Sequence, residues 1–473
     1  MKPTKTAIII SFIVMLLLIG CSGNETPSKV VVKETSNNDN KVLTIDNDIQ
    51  TNEEDTRDSS LEQTESPETA GKALPTKLLQ PTDLQYMGAF RLPDGDGTEA
   101  GGWEWGGSAL TYFPSGDKNS AKDGYPGSLF MTGNDVHQYV GEIGIPAPVK
   151  SRELSELNFA STLQPLTDIR GDMFGYLEIP RVGLEYLSAQ KGQDSGKLYF
   201  AWGQHMQEGD DGVSHGWLET DLSNPTIAGP WKMKDLTKYV TTDYIFAIPA
   251  EWAAANTPGM LLATGRYRDG GQGAQGPSLI AYGPWNQGNP PREGAELENV
   301  PLLMYKPVYE EDVLTHSLRG YSHADEWVGG AWLASSDKTA VVFAGMKGKG
   351  DTWYGYQDGT TSPTDGTEFS GDPSYTNGEH GERGWWSDSF EAQMIFYDPA
   401  EFAKVAHGEK FTHEPQPYAT LNIDDKLLRD FEGEKRHLGG VAYDRSNSVI
   451  YITEQRGDAE NDRPVVHVWK MKG

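Results

Sequence analysis

The chain has a single cysteine, Cys21, among 473 residues. That excludes a disulfide scaffold, a cysteine-rich zinc module and an iron–sulfur protein. It is also short of positive charge: 40 Lys+Arg stand against 69 Asp+Glu, a formal charge of -29. Nucleic acids and anionic membrane surfaces are recognised by clustered cations that displace counterions, so neither is expected as a partner. The one apolar run, from Ala7 to Ile19, is too short to favour a membrane span. Few segments keep a 3.6-residue period; Glu251 to Asn256 and Pro399 to Val405 read as single helical turns at most. No Walker loop, dinucleotide fingerprint, His-Glu-x-x-His helix or Gly-x-Ser-x-Gly elbow occurs.

What is present begins with a targeting signal. Lys2 and Lys5 precede the apolar run, as in a signal peptide. The run ends in Leu18-Ile19-Gly20-Cys21, which resembles a bacterial lipobox. The resemblance implies that Cys21 is lipidated and becomes the mature N-terminus. With Ser22 next, it implies an outer-membrane lipoprotein at the cell surface. Residues 21–80 are rich in Thr, Ser, Asn, Asp and Glu and poor in aromatics, and cannot bury enough apolar surface to offset chain entropy. The expected organisation is a signal peptide over 1–20, a disordered acidic tether over 21–80 and a folded domain over 81–473. Most of the negative charge falls in that domain.

Within 81–473 four kinds of short strand recur in fixed order, five times. The first kind is Tyr86 to Pro93, Leu163 to Ile169, Pro230 to Leu236, Leu302 to Val308 and Tyr418 to Ile423. A small-residue strand follows each, as in Gly106 to Tyr112, Val182 to Tyr186, Ile245 to Ile248, Gly329 to Leu333 and Gly439 to Tyr443. Two further strands complete each repeat, for example Lys197 to Ala201 and Gly216 to Thr220. Twenty such runs between Gly, Pro, Asp and Asn turns indicate an all-β chain, and radial repetition of four-stranded units indicates a five-bladed β-propeller. Six or seven blades stay open if long connections conceal strands. The ring is expected to close through the N-terminal strand 86–93 joining the last three strands, 439–469. An insertion from about Lys347 to Ser389 reads as an ordered surface loop.

Antiparallel order puts the loop between second and third strands, and the connection from each outer strand to the next blade, on one face. Those connections hold Asn134-Asp135-Val136-His137, Gln204-His205 with His215, Arg266-Tyr267-Arg268, Lys347, Trp353-Tyr354, Trp385-Trp386 and Glu454-Gln455-Arg456. They also hold Trp103-Glu104-Trp105, Arg181, Tyr244, Tyr321 to Asp325 and Arg436-His437. Trp105 reads as a packing residue, whereas Trp353 and Trp385, in the insertion, suit stacking on sugar rings. A concave, polar and aromatic mouth is the default binding site of such a fold. Asp94 to Gly97 and Glu208 to Gly212 could hold Ca2+, but neither has EF-hand spacing, so no metal or other cofactor is required.

A surface tether and exposed tryptophans suit a polymer too large to import, and the expected partner is an extracellular polysaccharide handled by a monomer. A hydrolase needs two opposed carboxylates. A lyase acting on a uronate needs a cation and a His or Tyr that takes the C5 proton. The rim carries more His, Tyr and Arg than carboxylates, and on His205, Tyr244 and Arg266 the chain resembles the propeller-fold polysaccharide lyases such as ulvan lyases. The resemblance implies β-elimination by those three, with His137, Arg268, His323, Trp353, Trp385, Arg436 and His437 expected to contact substrate. A glycosidase using Glu104, Asp135, Asp325 and Glu454, and a non-catalytic glycan-binding lipoprotein, remain the alternatives.

Overall fold

A computed structural model describes residues 75–117, 124–174, 180–204, 212–267, 275–305, 316–361, 383–429 and 434–472, all within the compact unit Glu65–Gly473. It is a five-bladed β-propeller. The first blade comprises Leu110–Phe113, Ser128–Thr132, Val140–Gly144 and Thr162–Thr167. The second comprises Pro180–Leu187, Lys197–Gln204, His215–Leu218 and Ile227–Met233, with Glu296–Leu297 added in parallel at its outer edge. Tyr244–Ala247, Leu262–Gly265, Gln275–Tyr282 and Asn299–Tyr305 form the third. Glu326–Ala334, Lys338–Gly355, Gly384–Tyr397 and Ala419–Asn422 form the fourth. In the fifth, Leu438–Asp444, Val449–Asp458 and Arg463–Met471 are completed by Leu84–Arg91, paired antiparallel from Leu84 with Met471 to Arg91 with Val465.

The strands read as continuous apolar runs because each blade is covered on both faces. Along Lys197–Gln204, alternate residues Leu198, Phe200 and Trp202 pack towards the first blade, while Tyr199 and Ala201 pack towards the third. The five largest apolar clusters each lie between two adjacent blades. At the axis the inner strands crowd: a Cβ on Gly183 would fall 2.6 Å from the Tyr244 carbonyl carbon, and one on Gly440 would meet Leu110. On the face opposite the mouth, Glu185 accepts the Thr111 hydroxyl at 3.0 Å and the Ala247 N–H at 2.9 Å, and Arg445 donates to the Ala247 carbonyl at 2.6 Å.

Three features differ from the sequence reading. Lys77–Leu78 pairs in parallel with Lys338 and Thr339, and Leu79 is fully buried against the fourth and fifth blades, so ordered structure begins inside the stretch assigned to the tether. The flanks of the 347–389 insertion are strand: the two central strands of the fourth blade run on as a hairpin, pairing Trp353 with Trp386 and Tyr354 with Trp385. Aromatic residues favour such cross-strand pairs. The two short helices, Ala250–Asn256 and Pro399–Ala406, are longer than one turn, the second started by Asp398 accepting the Ala400 N–H at 2.8 Å.

Candidate functional site

The mouth is lined where strand order requires, by second-to-third loops and outer-to-inner connections. Its floor is cationic and aromatic. Tyr267, at the end of the third blade's second strand, is 2% exposed and held by its backbone: its N–H donates to Asp243 at 2.8 Å and its carbonyl accepts the Trp327 N–H at 2.6 Å. Against this fixed ring lies the Arg181 guanidinium, 4.5 Å from the centroid, which also donates to the Tyr267 hydroxyl at 3.2 Å. The Arg266 guanidinium lies 5.8 Å from the same ring. Asp135, from the first blade, faces Arg456 and Arg181; burial raises its carboxyl above the ordinary range while the two arginines pull it back.

One wall is Trp105. It is 44% exposed, with Arg456 stacked 4.7 Å from its ring, and its φ is +60°. A bulky residue in the left-handed region is a true outlier, held here by its N–H donating to the Asp462 carbonyl at 2.7 Å. Trp103, two residues earlier, is 2% exposed and belongs to the core. The packing role expected for Trp105 therefore falls to Trp103.

The fourth blade supplies the opposite kind of wall, a stack of rings. His323 lies parallel to Trp385, centroids 4.4 Å apart at 17°, and Tyr321 donates to or accepts from its Nδ1 at 3.2 Å. Tyr354 meets Trp385 edge-on at 5.4 Å. Trp353 donates its Nε1–H to the Tyr356 carbonyl at 2.9 Å, fixing the hairpin. Beneath the stack, the Lys347 ammonium holds Asp325 at 2.7 and 2.9 Å, and Asp325 also accepts the Gly348 and Ser322 N–H groups at 3.0 and 3.1 Å. Burial still pushes the Asp325 carboxyl up to about 6, against the pull of Lys347.

The sequence-derived residues divide clearly. Tyr244 is buried in the core; its hydroxyl lies 2.5 Å from the Ser278 carbonyl and 3.0 Å from that of Arg266, and burial raises it well above the ordinary phenol range. Arg266 reaches the floor but is only 2% exposed. His137 is half-buried, its ring edge-on to Tyr139 at 5.7 Å. Arg436 donates to Asp424 at 2.9 Å and to the Glu434 carbonyl at 2.7 Å, and the His437 carbonyl accepts the Gln455 N–H at 2.8 Å. His215 is not on the rim: it is 1% exposed inside the second blade, between Ser214 and Thr264. Cys21, His205, Arg268 and the turn 208–211 lie outside the described residues. Among the described residues no group of three metal-ligating side chains gathers.

Of the four candidate acids, Glu454 is fully buried on His467, Asp325 is 1% exposed on Lys347, and Glu104 pairs with Arg463. Asp135 and Glu104 are both half-exposed, Asp135 facing Arg456 and Arg181. The site residues with the clearest geometry, Tyr267, Arg181, Arg456 and Trp105, are all in the predicted rim connections, but nothing local marks them out from their neighbours.

No protein-family model matches the chain, and no curated protein matches it. Among solved structures it is similar to the β-propeller domain of Cps50 (Swd1) from Myceliophteria thermophila, at 9% identity over 80% of this chain and 99% of that one, with a TM-score of 0.22. A likeness at that score carries no argument about function, and the fold rests on the five sheets themselves.

Proposed function

We propose that this protein binds an acidic extracellular polysaccharide at the propeller mouth and cleaves it by β-elimination, acting as a monomer tethered to the outer membrane through a lipid on Cys21. The observation that carries the reading is the pairing of the Arg181 and Arg266 guanidinia around the fixed ring of Tyr267 with the half-buried His323–Trp385 stack on the rim. A uronate needs both: cations for its carboxylate and a ring for the apolar face of its sugar.

In the elimination a base takes the C5 proton, the electron pair forms the C4–C5 double bond and the C4–O bond breaks, the leaving oxygen taking its proton from water. Arg181 would offset the carboxylate charge that builds up, with the buried Arg266 adding to the positive field from beneath the floor. The base would be His205, which directly follows the strand Lys197–Gln204. Here the reading departs from the lyase resemblance at one residue: Tyr244 takes no proton-transfer role, because its hydroxyl is committed to backbone groups inside the core. A hydrolase gains less support, since Glu454 and Asp325 are buried on His467 and Lys347 and Glu104 pairs with Arg463.

The test is to incubate the protein with uronic-acid polysaccharides and follow the ultraviolet absorbance of an unsaturated uronate. His205→Ala should lower the rate by roughly 100- to 10,000-fold, the usual cost of a positioned base, and Arg181→Ala should act in the same direction. Saturated reducing ends would instead identify a hydrolase, and absence of binding to any acidic polysaccharide would overturn the reading.

A further inference from the structure

The aromatic strip at the mouth does not end at His323. Tyr321, whose ring lies 5.2 Å from that of His323, also lines an open cleft on the flank between the third and fourth blades, with His316, Arg319, Phe411, His413 and Gln416. The cleft is built on a shelf. The chain at 411–416 is fastened to the third blade and its outgoing connection: the Met304 N–H donates to the Thr412 carbonyl at 2.9 Å, the Arg319 N–H to Gln416 at 2.8 Å, and the Tyr305 hydroxyl to the Pro415 carbonyl at 2.8 Å.

On this shelf Phe411 is 73% exposed, its ring parallel to His413 at 5.7 Å and 5°. His413 in turn lies 4.0 Å from His316. A single exposed ring needs no explanation in itself, but this one lines a cleft together with the rings of His316, Tyr321 and His413. A protein partner is a poor fit. It would cover about 800 Å² per side around an apolar centre, whereas here one ring stands among Arg319, Lys410, Glu414 and Gln416. Among the described residues no third metal-ligating side chain joins the two histidines. A sugar ring matches: one C–H face for Phe411, hydroxyls for the amides and carboxylate, and an acidic group for Arg319.

We infer that this flank cleft is a second glycan subsite, joined to the mouth through Tyr321 and His323, which holds the polysaccharide several sugars away from the bond that is cut. The inference rests on the acidic-polysaccharide reading of the mouth.

The experiment is a length series. Uronic-acid oligosaccharides from two to about ten sugars are titrated against the wild type and against Phe411→Ala, whose exposed position leaves the thermal midpoint as a control on folding. Wild-type affinity should rise with length. Phe411→Ala should bind the short members normally and the long members roughly five- to tenfold more weakly, the scale of one aromatic contact. Equal affinities for the two proteins at every length would overturn the subsite and leave the mouth reading intact. Equal weakening at all lengths would place Phe411 in the primary site and overturn the two-part track. No binding by the wild type at any length would remove the mouth reading and the subsite with it.

Discussion

Glu454 offers a quantitative test of how the ring is closed and how one mouth connection is held. Its carboxylate is fully buried, accepting the Leu428 and Arg429 N–H groups at 2.9 and 3.0 Å and contacting His467 Nε2 at 2.8 Å. The other nitrogen of His467 meets the Tyr86 hydroxyl at 2.9 Å, on the strand that completes the fifth blade. One carboxylate thus links the connection leading to Lys435, Arg436 and His437 with the strand that closes the propeller. Glu454→Ala leaves two backbone donors and an imidazole nitrogen without their acceptor and opens a small cavity. Removing one member of a buried polar pair costs about 3–5 kcal/mol. With an unfolding entropy of about 2.1 cal/mol/K per residue over roughly 400 residues, that corresponds to a drop in Tm of about 4–6 °C. Glu454→Gln keeps an acceptor for the two amides and should lose about a third as much. Calorimetry measures the first effect; hydrogen exchange at Leu428 and Arg429, which should lose protection in Glu454→Ala, measures the second. A Tm within about 1 °C of wild type, with those amides still protected, would refute the linkage.

Two further outcomes follow from burial. Burial pushes His215 down to about 3, so between that value and about 6.5 the unfolded chain holds a proton that the folded one refuses, and stability falls as pH drops through this window by about 1.4 kcal/mol per unit. His215→Asn should flatten the decline of Tm between pH 6.5 and 4 by the contribution of one proton; parallel curves for the two proteins would contradict it. A chain beginning at residue 75 should melt like the full protein, whereas one beginning at 81 loses the Lys77–Leu78 pairing and buried Leu79, about 2–3 kcal/mol of apolar burial, and should melt about 2–4 °C lower. Equal midpoints for the two truncations would show that 75–80 adds nothing to the fold.

The architecture was legible because a strand covered on both faces leaves a continuous apolar run, and because the inner strand of each blade advertises itself with Gly and Ala where neighbouring backbones touch. Strand order then located the mouth without any motif. What could not be read was which way a given side chain turns within a rim connection. Tyr244 and Tyr267 are both aromatic, both in the third blade and both at a strand end near the mouth. One is locked into the core by carbonyls at 2.5 and 3.0 Å, the other forms the floor beneath Arg181. Trp105 looked like packing because its exposure depends on a left-handed backbone that a Trp-Gly pair only weakly signals. Glu454 looked like a rim acid, but the strand carrying it runs on to Asp458 and keeps it inside the sheet.

Exposed rings alone would overstate the evidence for a site. Phe159 is 53% exposed, yet Arg91 covers it at 4.4 Å and is itself fixed to the buried Asp458 at 2.6 Å, so its face is used within the protein and its position needs no ligand. The rings assigned here each have a second feature that packing does not account for. Trp105 is held in a strained backbone conformation. Tyr354, Trp385 and His323 stack on a hairpin that extends past the strands needed to cover the neighbouring blades. Phe411 sits on a shelf whose polar anchors keep it out of the core while joining its cleft, through Tyr321, to that same stack. A closed ring buries its apolar area mainly between blades, and of its connections only some side chains, such as Trp103 and Tyr244, are drawn into that packing. Under the proposed function, the rings and cations that remain at the mouth, gathered despite a formal charge of -29, are the groups that would meet an acidic, ring-bearing ligand.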